Sequence, residues 1–285
     1  MIRVNTKLPM LFLAFVVCGF GLVSSASRLT AAERVTVKGS DTMVLLGQRW
    51  AESYMAKNPE AVIQVTGGGS GVGIAALING TTDICQASRP IKPKETQSLK
   101  ARFNATGVEI PVARDGLTVY FNEANQVSEL TMQQLAGIYS GEILNWKEVG
   151  GDDAKIIVYG RENSSGTYVY FKDVVLKGED FAAQVQTLPG TAAIVNAIAK
   201  DKNGIGYGGA AYAKGVKFCK MKADAQAEAF APDLEHVKSG VYPLSRYLFW
   251  YVRTKPSGEI KKFLDFVLSD DGQKVVTEVG YFPVK

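Results

Sequence analysis

The chain has 285 residues, of which 32 are Lys or Arg and 28 are Asp or Glu, for a formal net charge of +4. Setting aside an N-terminal segment that carries Arg3, Lys7 and Arg28 leaves 29 basic residues against 28 acidic ones, with no basic run, a balance that speaks against a nucleic-acid binder. A single histidine, His236, excludes a multi-histidine metal site, and the remaining length suits one large domain or two modest lobes.

The N-terminus predicts an export signal over residues 1–32. Arg3 and Lys7 are basic, Leu8 to Val23 is mostly apolar, and small residues follow at Ser24-Ser25-Ala26 and Thr30-Ala31-Ala32. Ala26 marks the earlier of two cleavage points. The apolar stretch is too short and wrongly flanked for a permanent span. Phe15-Val16-Val17 lacks the small residues wanted before a lipid-anchored cysteine, so anchoring through Cys18 is not expected. Cys85 and Cys219 survive cleavage. Export permits a disulfide, but both are expected as free thiols.

Arg34 to Lys38 alternates as a strand. Gly39-Ser40-Asp41-Thr42-Met43 follows, then a helix from Val44 to Lys57 that Asn58-Pro59 stops. Ala61 to Thr66 is a second strand. It leads into Gly67-Gly68-Gly69-Ser70-Gly71-Val72-Gly73 and a helix through Ile78. This glycine run lacks the Gly-Lys-Ser/Thr ending of a nucleotide loop. It also misses the Gly-x-Ser-x-Gly of a serine hydrolase, because Val72 stands where the last glycine should be. What it offers is a close backbone approach to something small, with Ser70 as donor. Thr82 to Ala87 reads as a buried strand ending at Ser88-Arg89-Pro90, and Lys92 to Arg102 as a charged helix. Val108 to Val112 and Leu117 to Phe121 bracket Ala113-Arg114-Asp115-Gly116, a first crossing between lobes. Thr131 to Tyr139 is a helix capped by Thr131, and Asn145-Trp146 lies in the loop before the next strand.

That strand, Ile156 to Tyr159, enters Gly160-Arg161-Glu162-Asn163-Ser164-Ser165-Gly166-Thr167 ahead of a helix to Leu176. Backbone N–H groups at such a turn have no intrahelical partner and favour an anion. Ser165 and Thr167 add hydroxyls, Gly166 permits close approach, and Arg161 supplies a planar fork that matches a tetrahedral oxyanion. The plain alternative is a solvated loop with a serine N-cap. Helices are expected over Phe181 to Gln186 and Gly190 to Lys200, and a strand at Gly204 to Tyr207. Residues 221–240 are polar, with a loop at Lys238-Ser239-Gly240. Tyr247 to Val252 is the return crossing, with Pro243-Leu244-Ser245 and Arg114-Asp115-Gly116 as hinge candidates. Helices at Glu259 to Leu268 and Gly272 to Val279 close the chain. Strands alternating with helices predict an α/β fold whose ligand sits outside the carboxyl ends of mostly parallel strands. Three polar turns meeting in one cleft point to an oxyanion more strongly than any one alone.

Taken in order, Gly39-Ser40-Asp41-Thr42, Gly67-Gly68-Gly69-Ser70-Gly71-Val72, Ala87-Ser88-Arg89-Pro90 and Gly160 to Thr167 resemble the phosphate-binding subunit of bacterial phosphate ABC transporters. Leu130 to Leu135, Asn145-Trp146-Lys147 and the ending Gly280-Tyr281-Phe282-Pro283-Val284 carry the same likeness, which covers essentially the whole mature chain. The resemblance implies an α/β, two-lobed periplasmic binding protein, a clamshell with mixed, mostly parallel sheets and a two-strand hinge. Residues 33–114 with 243–285 would form one lobe and 115–242 the other. It implies a periplasmic monomer with no catalysis, cofactor or metal, which captures inorganic phosphate and delivers it to a permease and ATPase in the inner membrane. The implied binding residues are Ser40, Asp41, Thr42 and Met43; Gly69, Ser70 and Gly71; Ser88 and Arg89; and Arg161, Ser165, Gly166 and Thr167. Asn163 stands where other members place an aspartate that braces the arginine. Arg89 stands where some carry an aspartate that accepts a hydrogen bond from protonated phosphate. Asp41, then Asp115, is expected to take over that role; failing both, other oxyanions such as sulfate come into reach. The remaining readings are a sensor or adhesion protein using the fold without transport, and a secreted phosphohydrolase using Ser70 or Ser165, which lacks a supported base.

Overall fold

The first strand, β1 (Arg34–Gly39), alternates buried Val35 and Val37 with half-exposed neighbours and runs through a 3-10 turn (Asp41–Met43) into α1 (Val44–Lys57). Helix α1 buries Leu46, Trp50 and Tyr54, spaced for one helical face. The computed structural model describes residues 1–2 and 33–285. The export signal expected over residues 1–32, with Cys18, lies outside the described residues apart from Met1 and Ile2.

β2 (Val62–Thr66) leads into α2 (Ser70–Asn79), and β3 (Ile84–Ala87) precedes α3 (Pro93–Phe103). Helix α2 starts earlier than its sequence suggests. Gly68 and Gly69, at φ of +110° and +96°, make the sharp entry that only glycine takes without strain, and the helix begins at once. β4 (Val108–Phe121) is one continuous strand of 14 residues and not two segments around a break. Asp115 and Gly116 do not interrupt it, because Asp115 is neutralised in place by Arg246 and Gly116 lies where a side chain would meet Pro232 and Val237 at 2.8 Å.

β5 (Glu129–Thr131) is followed by α4 (Met132–Ser140), which Thr131 caps as its sequence predicts. Thr131 Oγ1 accepts from Gln134 N at 3.0 Å while Gln134 Oε1 accepts from Thr131 N at 2.9 Å. β6 (Ile157–Arg161), α5 (Gly166–Val174), β7 (Gln186–Leu188), α6 (Gly190–Lys200) and β8 (Gly204–Gly209) come next. The helix expected over 181–186 does not form. A six-residue helix is marginal by itself, and here tertiary contacts claim both ends. The Phe181 ring stacks on Tyr168 with centroids 4.7 Å apart, and Gln186 pairs with Tyr159 in the sheet.

β9 (Lys217–Phe218), β10 (Lys220–Lys222), α7 (Leu234–Ser239), β11 (Ser245–Val252), α8 (Gly258–Leu268) and α9 (Asp270–Val279) complete the chain. The polar stretch 221–240 is thus more ordered than it reads. Asp233 caps α7 through His236 N at 3.0 Å, and Lys238-Ser239 forms the last helical turn before Gly240.

The large sheet runs β2-β1-β3-β11-β4-β8-β6-β7, with β9 on β4; β5 and β10 pair separately. β1 is parallel to β2 and β3, and β6 to β7 and β8. The central pair, β4 and β11, is antiparallel, and β4 pairs with β11 over its first half and with β8 over its second. One apolar core draws on residues 35–113 and 248–281, with Ala211 reaching in, and a second on residues 117–244. Cys85 and Cys219 are both buried free thiols, as expected, and burial raises the pKa of each. Among the described residues no helix is long and apolar enough to cross a membrane.

In the first core Trp50 meets Trp250 edge-on and donates its indole N–H to Gly272 O at 2.7 Å. A methyl group at Gly272 would stand 2.1 Å from Phe266 O and 2.5 Å from Val267 O. Gly272→Ala is therefore expected to destabilise the protein by about 1–3 kcal/mol through overpacking, read from the midpoint of a urea unfolding curve.

Candidate functional site

The carboxyl ends of β1, β2, β3 and β6 converge, each releasing a short polar turn. β1 presents Ser40, Asp41 and Thr42. β2 passes through the glycines to Ser70 at the start of α2. β3 ends at Ser88, and β6 delivers Arg161 and then Ser165, Gly166 and Thr167 at the start of α5. The hydroxyls of these turns touch one another. Ser40 Oγ donates to Ser88 Oγ at 3.0 Å, and Thr42 Oγ1 lies 2.9 Å from Thr167 Oγ1. Ser88 Oγ is 3.4 Å from both Ser70 Oγ and Thr167 Oγ1. All five residues are buried.

Glycines bring the α2 and α5 turns together. Gly71 N donates to Ser164 O at 2.9 Å, and a Cβ on Gly69 would come within 2.5 Å of that same oxygen. A Cβ on Gly166 would stand 2.2 Å from Ser70 Oγ and 2.8 Å from Ser88 Oγ. No side chain fits at either position without separating the two turns.

Arg161 is 2% exposed. Its Nη2 donates to Asp41 Oδ2 at 2.9 Å and its Nη1 to Thr191 Oγ1 at 2.8 Å. Its Nε–H has no partner among the described residues. Burial pulls the Arg161 pKa down and Asp41 opposes that pull; the guanidinium stays charged in any case. Asp41 is itself held by Gly68 N, which donates to Oδ1 at 2.8 Å. The brace that Asn163 does not supply thus comes from the first turn.

A second guanidinium, Arg246 at the start of β11, has no motif to announce it. Its Nε and Nη2 donate to Asp115 Oδ2 at 2.9 and 2.7 Å, its Nη1 to Ser88 O at 3.1 Å, and its Nη2 also to Thr167 Oγ1 at 3.1 Å. The Tyr170 ring lies 5.1 Å below it, and burial pushes the Tyr170 phenol up to about 12. Asp115 Oδ1 accepts from Ala210 N at 3.1 Å. Two further tyrosines hold the first turn from behind, Tyr212 through Asp41 O and Tyr281 through Thr42 O.

Two sequence expectations need correction. Arg89 is not part of the cluster. Its guanidinium forms a two-pronged pair with Glu95 at 2.7 and 2.9 Å and also binds Pro90 O, because Glu95 stands in the first turn of α3, where Lys92 N holds it too. Met43 contributes no side chain to the site; it is buried in the apolar core, and its N–H is spent on Ser40 O. The two carboxylates expected to accept a hydrogen bond from the ligand are braced: Asp41 takes one donor at each oxygen and Asp115 takes three in all, so each keeps a lone pair with which to accept. Ser165 is the N-cap of α5, as the plain reading has it. Its Oγ caps α5 by accepting from Thr167 N and Tyr168 N at 3.2 and 3.3 Å, which leaves its hydroxyl proton for another partner. Gly69 and Gly71 act through conformation and contact, since Gly69 N is used by Gly39 O.

Thr191 and Arg246 are the residues the sequence did not single out. Thr191 is the second residue of α6, 30 positions after Arg161. The one available signal for Arg246 is a lone cation opening an otherwise apolar strand. His236 sits on α7 beside Asp233, at 2.8 Å, and bonds to neither Ser70 nor Ser165. No group of histidine, cysteine or acidic side chains among the described residues could hold a metal ion. The arrangement is a buried set of hydroxyl and guanidinium donors, suited to enclosing a small anion.

Comparison with known proteins gives the same direction. Residues 24–271 match the model of the PBP superfamily domain. A phosphate-binding protein PstS of Pseudomonas aeruginosa is 33% identical, over 98% of this chain and 95% of that protein. One from Staphylococcus aureus is 36% identical, over 85% of this chain and 76% of that protein. A structure from Clostridium perfringens, described as a phosphate ABC transporter substrate-binding protein with bound phosphate, superposes with a TM-score of 0.81 at 31% identity. It covers 89% of this chain and 100% of that one. An ABC-type phosphate transport receptor from Vibrio cholerae gives a TM-score of 0.69 at 30% identity, over 87% and 99%.

Proposed function

Because this chain belongs to the PBP superfamily, among the substrate-binding proteins of phosphate ABC transporters, we propose that it captures inorganic phosphate between two lobes and delivers it to an ABC permease. The observation that carries this reading is the convergence of Ser40, Thr42, Ser70, Ser88 and Thr167 beside buried Arg161. Such a constellation binds and orients an oxyanion, and membership of this family makes the protein a receptor, not an enzyme.

We take residues 33–114 with 243–285 as one lobe and 115–242 as the other, a division that the two apolar cores support. β4 and β11 then form the two-strand hinge. The ligand would touch Ser40, Thr42, Ser70, Ser88, Arg161, Ser165 and Thr167, with Gly166 letting the two turns close over it. The protein would act as a monomer in the periplasm after loss of its N-terminal signal, with the permease and ATPase as partners.

Charge-assisted hydrogen bonds contribute about 1.5–3 kcal/mol each, and a micromolar site amounts to about −8 kcal/mol. Several such bonds reach that affinity after ordering costs. Calorimetric titration of the purified, phosphate-stripped protein with sodium phosphate should show one site per chain, micromolar or tighter. Absence of heat together with an absent thermal shift would overturn the reading. Gly166→Ala should weaken phosphate binding by roughly 10- to 100-fold, the equivalent of about 1–3 kcal/mol of overpacking at the closed contact, with little change in the melting temperature of the ligand-free protein.

A further inference from the structure

Two phenols meet the first polar turn from the side of the apolar core. Tyr212 Oη donates to Asp41 O at 2.9 Å and Tyr281 Oη to Thr42 O at 2.6 Å. Tyr281 belongs to the first core, and Tyr212 packs against it. The space that Tyr281 uses is kept open by a glycine, since a Cβ on Gly209 would stand 2.5 Å from Tyr281 Oη and 2.9 Å from Thr42 Cγ2. Burial raises the pKa of both phenols, so both stay protonated donors through the neutral range.

The two carbonyls belong to consecutive peptide groups. In a trans peptide the N–H points opposite to the C=O. Carbonyls anchored at the core therefore aim the N–H groups of Thr42 and Met43 away from it, toward the hydroxyl cluster. The Met43 N–H closes the turn on Ser40 O at 3.0 Å. The Thr42 N–H has no acceptor among the described residues, although Thr42 is buried. A hydrogen bond accepted at a carbonyl polarises the whole peptide group and strengthens donation from its N–H. We infer that Tyr212 and Tyr281 are positioning residues for anion capture, each acting through the peptide it bonds and not by contact with the ligand. Tyr212 acts on the Thr42 N–H, the free donor. Tyr281 acts on the Met43 N–H, which sets the shape of the turn. The inference rests on the proposed phosphate-receptor function and assigns it two residues outside the cleft.

The test joins phosphate titration to amide NMR on Tyr212→Phe and Tyr281→Phe, each of which removes one oxygen and keeps the ring. Each variant should bind sodium phosphate about 2- to 10-fold more weakly than wild type, the scale of one hydrogen bond. In isotope-labelled, phosphate-bound protein, the Thr42 amide proton should move upfield in Tyr212→Phe and the Met43 amide proton in Tyr281→Phe. Loss of packing alone would not produce that crossed pattern. Tyr212 is only half-buried, so its variant keeps the test open if Tyr281→Phe does not fold. Wild-type affinity in either variant overturns the assignment of that tyrosine. Weaker binding without a selective shift at Thr42 or Met43 reduces both phenols to structural braces and overturns the inference, while the receptor function stands. Failure of the wild-type protein to bind phosphate overturns the receptor function itself, and this inference with it.

Discussion

Arg161→Ala is expected to abolish phosphate capture at micromolar concentrations. The variant loses a charged donor, a contribution of about 1.5–3 kcal/mol. It also leaves Asp41 without its partner beside the anion, and an unpaired carboxylate left in such a place adds to a total of roughly 3–5 kcal/mol. That corresponds to about a 10²- to 10⁴-fold loss of affinity. The two contributions can be separated. Arg161→Ala combined with Asp41→Asn removes the repulsion but not the lost donor, so it should bind more tightly than the single variant and less tightly than wild type. Calorimetry on the three proteins decides the matter. Full affinity in the single variant would show that Arg161 does not touch the ligand.

Asp115→Ala should produce the largest loss of stability. Asp115 is completely buried and Arg246 nearly so, at 0% and 3% side-chain exposure. Removing the carboxylate strands a guanidinium inside the β4–β11 pair and leaves Ala210 N without its acceptor. Breaking a buried pair from one side costs about 3–5 kcal/mol. At roughly 2–4 °C per kcal/mol for a chain of this size, the melting temperature should fall by about 6–20 °C. Replacing both partners together, as Asp115→Leu with Arg246→Met, should recover most of that stability, because no uncompensated charge is left. It should not recover binding, since Thr167 loses the donor that orients it. A double variant as unstable as the single one would mean that packing, and not the stranded charge, dominates.

Much of this molecule can be read locally. Helix α1 runs from Val44 to Lys57 as its pattern indicates, Thr131 caps α4 from the adjacent residues, and Gly190 opens α6. The polar turns of the candidate site are legible for the same reason, since each sits at one junction of strand and helix. What fails depends mostly on a distant partner, with Arg89 as the exception. Arg89 belongs to Glu95, only six residues away, and α3's own capping pattern hints at it. The braces of the cleft are far less visible. Asp41 meets Arg161 across 120 positions, and Asp115 meets Arg246 across 131. Neither pairing leaves a trace in spacing or composition. The missing helix at 181–186 fails likewise, because Phe181 answers to Tyr168 and Phe171 more than to its neighbours in sequence.

β11 lies between β3 and β4 in the sheet, although it is the last strand to be synthesised. Val252 pairs with Ile84 on one side and with Val108 on the other. A nascent chain complete only as far as α7 therefore has β3 and β4 separated by an unfilled place. Both edges remain unsatisfied, and the first apolar core lacks Trp250 and Phe263. Pairings this distant in sequence slow folding, because the loop must close before any contact rewards it. The architecture thus delays completion of the sheet until nearly the whole chain has emerged. Under the export proposed above, a chain that threads through a membrane before it folds would gain time from this arrangement, at the cost of relying on its surroundings to keep those open edges from pairing with other chains.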